Sequence, residues 1–157
     1  MSENRRFNRE VEDVVEIEHR ERPADYVEPA SGTVTVAHIV YALHTISILI
    51  GLLTAGLTIV GAFVFSGPSI LAVIINYIFR SDARDTYVES HFSWQIRTFW
   101  FALLWMILVY VISVPLLPFG FGLVTLVVGL LALGIWVAYR ILIGWKRLVR
   151  REPMPMP

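Results

Sequence analysis

The 157-residue chain has no cysteine, which removes disulfides, thiolate nucleophiles and cysteine-ligated zinc or iron–sulfur sites. Charge is missing over two long stretches: no Asp, Glu, Lys or Arg lies between Glu28 and Arg80, or between Arg97 and Arg140. One helix needs about 20 apolar residues to cross a bilayer, and each stretch is about twice that long. Each therefore reads as a hairpin of two spans. Neither stretch contains an acid, which argues against a proton-driven pump built on intramembrane carboxylates. There is no Ser/His/Asp arrangement, no carboxylate pair within a span and no phosphate-cradling glycine loop, so the chain reads as a non-enzyme with no cofactor and no metal site.

What is present is apolar and sharply sorted. Hydrophobic residues make up 56% of the chain, above the soluble norm of about 45–50%, and the length suits one compact domain. The formal net charge of zero hides an arrangement in which every charged side chain lies within residues 1–28, 80–97 or 140–157. The first segment has five arginines against nine acids, the second three against three, and the third five basic residues against one acid. The two ends are thus oppositely charged. The short basic cluster lies at a bilayer surface, which argues against nucleic-acid binding.

Residues 1–32 form an acidic, Pro/Glu/Arg-rich tail that cannot bury a core and is expected to be disordered. It lacks the basic start and apolar middle of a secretory signal, so the first apolar run is expected to stay in the mature protein. Within it, Val11, Val14, Val15 and Ile17 come close to helical spacing, but the period is weak and a fraying polar segment is the expected outcome. From Thr33 an apolar run reaches Phe65, and Ser66-Gly67-Pro68 is the clearest turn signal in this half. The first span is therefore expected over residues 33–65, with Pro68 in the first turn of a second helix. That helix would be short, and Arg80 and Arg84 would snorkel while it continues through the interface. A competing division sets the turn near Gly56 to Gly61 and leaves Pro68 as a kink.

Thr86-Tyr87-Val88-Glu89 has the spacing of a capping box, which starts a helix at Tyr87. This helix is expected to pass Trp94 and Arg97 and cross as span three to about Pro115. Pro115, Pro118, Gly120 and Gly122 make the outer turn, and span four runs from about Leu123 to Tyr139. Residues 146–157 form a basic, Pro-rich end. The outer turns have no Lys or Arg, so the positive-inside rule places both termini and the central loop in the cytoplasm. The fold class expected is all-α: a polytopic bundle of four transmembrane helices over residues 33–145.

Two runs, Asn76-Tyr77-Ile78-Phe79-Arg80-Ser81-Asp82 and Ser90-His91-Phe92-Ser93-Trp94-Gln95-Ile96-Arg97-Thr98-Phe99-Trp100, stand beside Trp136-Val137-Ala138-Tyr139-Arg140 and Gly144-Trp145. Together they resemble the Tic-twenty-like family of small bacterial inner-membrane proteins, grouped loosely with the import-channel subunit of chloroplast inner envelopes. The resemblance covers about Val36 to Met154. It implies a multi-pass helical fold in a bacterial inner membrane and bears little on activity; the channel role belongs to the distant relative.

Among candidate site residues, Ser90, Trp94 and Arg97 share one helical face, and His91, Gln95 and Thr98 share the next. This polar strip is a candidate contact for a headgroup, an anionic ligand or a partner; the plainer reading is a packed helix with ordinary interfacial anchors. Asn76 is expected to bond another helix, and His44 to be a hydrogen-bonded packing histidine rather than a proton relay. His38 lies near the interface and is expected to be wet. Gly51 and Ala55 form a small-xxx-small pair suited to close helix approach. Lys146, Arg147, Arg150 and Arg151 suit anionic lipid or the chain's own acidic tail, and positive-inside topology also explains them. The expected function is that of a non-enzymatic accessory or interaction subunit in contact with the lipid bilayer and with a membrane-protein partner or a second copy. The alternative is an oligomeric conduit for a polypeptide or small solute.

Overall fold

A computed structural model describes residues 27–53 and 63–155. The described residues form helices and connecting turns, with no strand: α1 (Ser31–Leu53), α2 (Gly67–Phe79), α3 (Tyr87–Leu116), a 3₁₀ turn (Leu117–Phe119) and α4 (Phe121–Val149). Three of them, α1, α3 and α4, are long and apolar enough to cross a membrane. In the most apolar windows of α3 and α4 only 17% and 22% of residues are buried in the protein. Water would not tolerate such a surface, since soluble proteins rarely expose contiguous apolar patches beyond a few hundred Å². Leu104, Trp105, Ile107, Val111 and Ile112 on α3, and Val124, Val128, Leu131 and Ile135 on α4, all face outward. This is the pattern of helices solvated by lipid.

α1 begins at Ser31, inside the expected tail, because the Ala30 carbonyl already accepts from the Thr33 and Val34 amides. Residues 1–26 of the tail, with Val11, Val14, Val15 and Ile17, lie outside the described residues. The first hairpin also departs from expectation. Had one helix run from Thr33 to Phe65, Ser47 and Ser66 would stand about 28 Å apart at 1.5 Å per residue; instead the Ser66 hydroxyl donates to Ser47 Oγ at 2.7 Å. His44 Nδ1 lies 3.1 Å from Ser69 Oγ, and the His44 and Phe63 rings meet tilted at 31°, their centroids 4.9 Å apart. Phe63, Ser66 and Ser69 therefore lie back alongside α1, and Ser66 is not the far end of one long helix. The alternative turn, near Gly56 to Gly61, lies outside the described residues, as does Ala55.

Ser66-Gly67-Pro68 does serve as a helix start. Ser66 is the N-cap, its hydroxyl accepting from the Ser69 amide, and Pro68 occupies the first turn. α2 then stops at Phe79 and does not continue through Arg80 and Arg84. Successive three-residue turns carry the chain from Phe79 to Thr86 (Asp82 N to Phe79 O, Arg84 N to Ser81 O, Thr86 N to Ala83 O), with Asp85 left-handed at φ 63.

α3 starts at Tyr87 as expected, but by different bonds from a capping box. The Thr86 hydroxyl turns back to the Ala83 carbonyl, and the Glu89 carboxylate caps the Asp85 amide. At the other end Pro115 is tolerated within the last turn, the 3₁₀ turn follows, and Gly120 reverses the chain at φ 79. α4 starts two residues early and does not stop at Tyr139; it continues to Val149. Ile141, Gly144 and Leu148 extend its buried stripe past Arg140, so packing overrides the charge as a stop signal.

Tertiary bonds place the ends. The Val27 amide donates to Asp85 O, the Met154 amide to Ser90 Oγ, and Arg151 lies 3.5 Å from Glu28. The start of α1, the Arg80–Thr86 loop and the end of α4 therefore share one end of the bundle, called here the loop end. Ser113, Gly122 and Thr125 mark the opposite, turn end of the α3/α4 hairpin.

Candidate functional site

Most of the polar strip on α3 faces inward. His91, Gln95 and Thr98 are fully buried and Ser90 nearly so, while Trp94 and Arg97 are half-buried. At the loop end the strip holds the chain's own carboxyl end. His91 Nε2 lies 2.9 Å from Glu152 O; since a carbonyl only accepts, Nε2 carries the proton. Nδ1 is then an acceptor, and the Tyr41 hydroxyl donates to it at 3.0 Å. Ser90 Oγ accepts the Met154 amide while donating to Tyr87 O, and Met154 is buried. Ser90 and His91 thus clamp residues 152–154 and are not available as an outer contact.

One turn deeper lies a cross-helix lock. Trp94 Nε1 donates to the Arg140 carbonyl at 3.1 Å, and Arg140 Nε donates to Thr98 Oγ1 at 2.8 Å. The Thr98 hydroxyl in turn donates to Trp94 O. The guanidinium lies over the Trp94 ring, 3.5 Å from its centroid, and 5.0 Å from the centroid of Trp136. Such cation–π contacts contribute about 0.5–2 kcal/mol each. Arg97, one residue before Thr98 on α3, is half-buried like Arg140. Its Nε is buried without a partner, and among the described residues neither arginine has a carboxylate in ion-pair range. Arg140 is not among the site residues expected from the sequence, although it lies one helical turn from Trp136.

From this lock a groove of about 570 Å³ runs between α3 and α4, lined by Phe101, Trp105, Val109, Gly129, Ala132, Leu133, Trp136 and Arg140. A Cβ at Gly129 would come within 2.9 Å of the Val109 methyls, so the helices approach closely at its floor. Arg140 is the one charged group in it.

The remaining candidates divide. His44 is a hydrogen-bonded packing histidine through Ser69, but its Nε2 is buried without a partner. Asn76 is fully buried, and against expectation its amide makes no hydrogen bond; the Gln95 amide is in the same state. His38 is not simply wet, since it accepts from Trp145 Nε1 at 3.1 Å. Arg147 donates to Pro153 O, Arg150 lies 4.0 Å from Glu152, Arg151 pairs with Glu28, and Lys146 is exposed. The acidic tail thus does meet the basic end, through its last acid. No group of three or more potential metal ligands occurs among the described residues. Comparison with protein-family models, curated proteins and solved structures gives no match.

Proposed function

We propose that this chain is a four-span protein of a bacterial inner membrane, both ends cytoplasmic, that works by binding rather than by chemistry, as an accessory subunit. Two features support the topology. The basic residues of the loop and of the α4 end gather at one end of the bundle, whereas residues 98–139 contain no Lys or Arg, the asymmetry that sets orientation in multi-pass proteins. The resemblance of residues 76–82 and 90–100 to Tic-twenty-like proteins points to the same membrane.

The binding reading rests on one observation, the lateral groove ending at Arg140. A cavity of this size, mostly apolar with a convergent charged group, has the make-up of a ligand site. With Ser90, His91, Gln95 and Thr98 buried, the surface left for contact is Trp94, Arg97 and this groove. A photoreactive phenylalanine analogue at Trp105, inside the groove, is expected to give a discrete cross-link in native membranes. The same analogue at Ile135, which is 71% exposed and outside the groove, is expected to give only diffuse lipid adducts. Identical patterns at both positions would sink the binding reading.

One observation favours the conduit instead. His44 Nε2 and the side-chain amides of Asn76 and Gln95 are buried on three helices without partners. Such groups cost about 1–3 kcal/mol each if dry, and internal water would relieve that cost. Labelling of Asn76→Cys by a water-borne maleimide would support this conduit reading, and protection would oppose it.

A further inference from the structure

We propose that the α3/α4 groove is a specific site for one anionic phospholipid, its phosphate held by Arg140 and Arg97 at the loop end and one acyl chain lying along Trp105, Val109 and Gly129. The proposal rests on the binding reading above and names the occupant.

Depth comes first. Arg97 stands nineteen residues before Leu116, and Arg140 nineteen residues after Phe121. At 1.5 Å per residue each is about 28 Å from the turn end, close to the roughly 30 Å hydrocarbon thickness of a bilayer. With the turn end at one headgroup layer, both guanidinium groups reach the other. The remaining turns of α3 and α4, which hold Ser90, His91 and Trp145, then project beyond the hydrocarbon.

Charge is the second step. No Asp or Glu occurs between Glu89 and Glu152, and among the described residues neither half-buried arginine has a carboxylate in ion-pair range. Arg140 is held in place by Thr98, Trp94 and Trp136, and its terminal nitrogens make no bond with the described residues. A planar fork fixed in this way suits two phosphate oxygens. A phosphate there supplies the missing negative charge.

Shape is the third. On α3 the stripe Arg97, Phe101, Trp105, Val109 descends from the headgroup level at helical spacing. On α4 the stripe Arg140, Trp136, Leu133, Gly129 does the same, and the groove between the two is carbon-lined below Arg140. From Arg140 to Gly129 is about 16 Å along the axis. An acyl chain continues downward from a headgroup phosphate along just this direction. A free phosphate would leave the apolar floor unused, and a helical partner would bring no phosphate to the arginines.

The test uses the full chain purified in mild detergent, with native mass spectrometry of titrations by phosphatidylglycerol and by phosphatidylcholine. The wild type is expected to retain one phosphatidylglycerol and to prefer it at least tenfold. Arg140→Gln should cut its retention about five- to tenfold, as should Arg97→Gln to a smaller degree. Ala132→Phe fills the groove from a surface position; it should lower retention of both lipids while circular dichroism stays unchanged. Equal retention of the two lipids by the wild type, or retention unaffected by either Arg140→Gln or Ala132→Phe, would overturn the proposal. A discrete protein cross-link from Trp105 with no retained lipid would overturn it while sparing the binding reading. Absence of both would remove the two together.

Discussion

His91 shows how a polar residue at the edge of a membrane protein can be structural. Its ring links three parts of the chain: Tyr41 on α1, its own helix α3, and the Glu152 carbonyl beyond α4. His91→Ala would leave the Tyr41 hydroxyl, fully buried, without its acceptor, a loss of about 1–3 kcal/mol. Thermal unfolding in detergent should register that loss, and hydrogen exchange at the Met154 amide should speed up as residues 152–154 come free. Tyr41→Phe should cost only about 1 kcal/mol and leave Met154 exchange as it was, because the His91–Glu152 bond survives. Equal exchange in all three proteins would show that His91 does not hold the carboxyl end. Ser90 and His91 looked like a contact surface in the sequence because its occupant, residues 152–154, is about sixty positions away and carries no signal of its own.

At the scale of elements, the turn between α3 and α4 depends on Gly122. A Cβ there would run into backbone, at Leu117 N, Ser113 O and Leu116 C, rather than into a flexible side chain. Gly122→Ala should therefore force the hairpin apart at its turn and destabilise the protein by more than the ~1–3 kcal/mol usual for overpacking. Gly32→Ala, with open space around it, should be nearly silent in the same melting experiment. A silent Gly122→Ala would refute the close approach. This turn was legible from Pro115, Pro118, Gly120 and Gly122, and the start of α3 from Thr86 to Glu89, because backbone restrictions act locally. The first hairpin is ambiguous in the sequence for the complementary reason. Ser66-Gly67-Pro68 is a sound N-cap, but a cap does not say whether the preceding chain has already turned; only the pairing of Ser47 with Ser66 does. The charge at Arg140 marks an apolar boundary in the sequence but not the end of α4, which continues to Val149; the anchoring of Arg140 by Trp94 and Thr98 depends on the fold.

At the scale of the molecule, α3 and α4 form a long hairpin, about 45 and 44 Å at 1.5 Å per residue, against which the first hairpin packs. The polar groups are distributed by depth. Tyr41, His91 and Trp145 lie toward the loop end, the Arg97/Arg140 pair one hydrocarbon thickness from the turn end, and below it the outer surfaces are apolar. The segregation of charge into three segments foretold this layering, since charge and lipid separate by free energy alone. The pairing of side chains within each layer was not foretold, because many helix rotations satisfy the same segregation.

The absence of cysteine makes the topology directly measurable. Single cysteines at Ser81 in the loop, at Pro155 beyond α4 and at Phe119 in the α3/α4 turn all fall on exposed positions, and a membrane-impermeant maleimide can be applied to intact and to permeabilised cells. Reaction of Phe119→Cys in intact cells, with Ser81→Cys and Pro155→Cys reacting only after permeabilisation, is the result expected of a four-span protein whose ends and loop share the cytoplasmic face. Labelling of Phe119 and Ser81 from the same side would contradict it, and with it the depth assigned to Arg97 and Arg140.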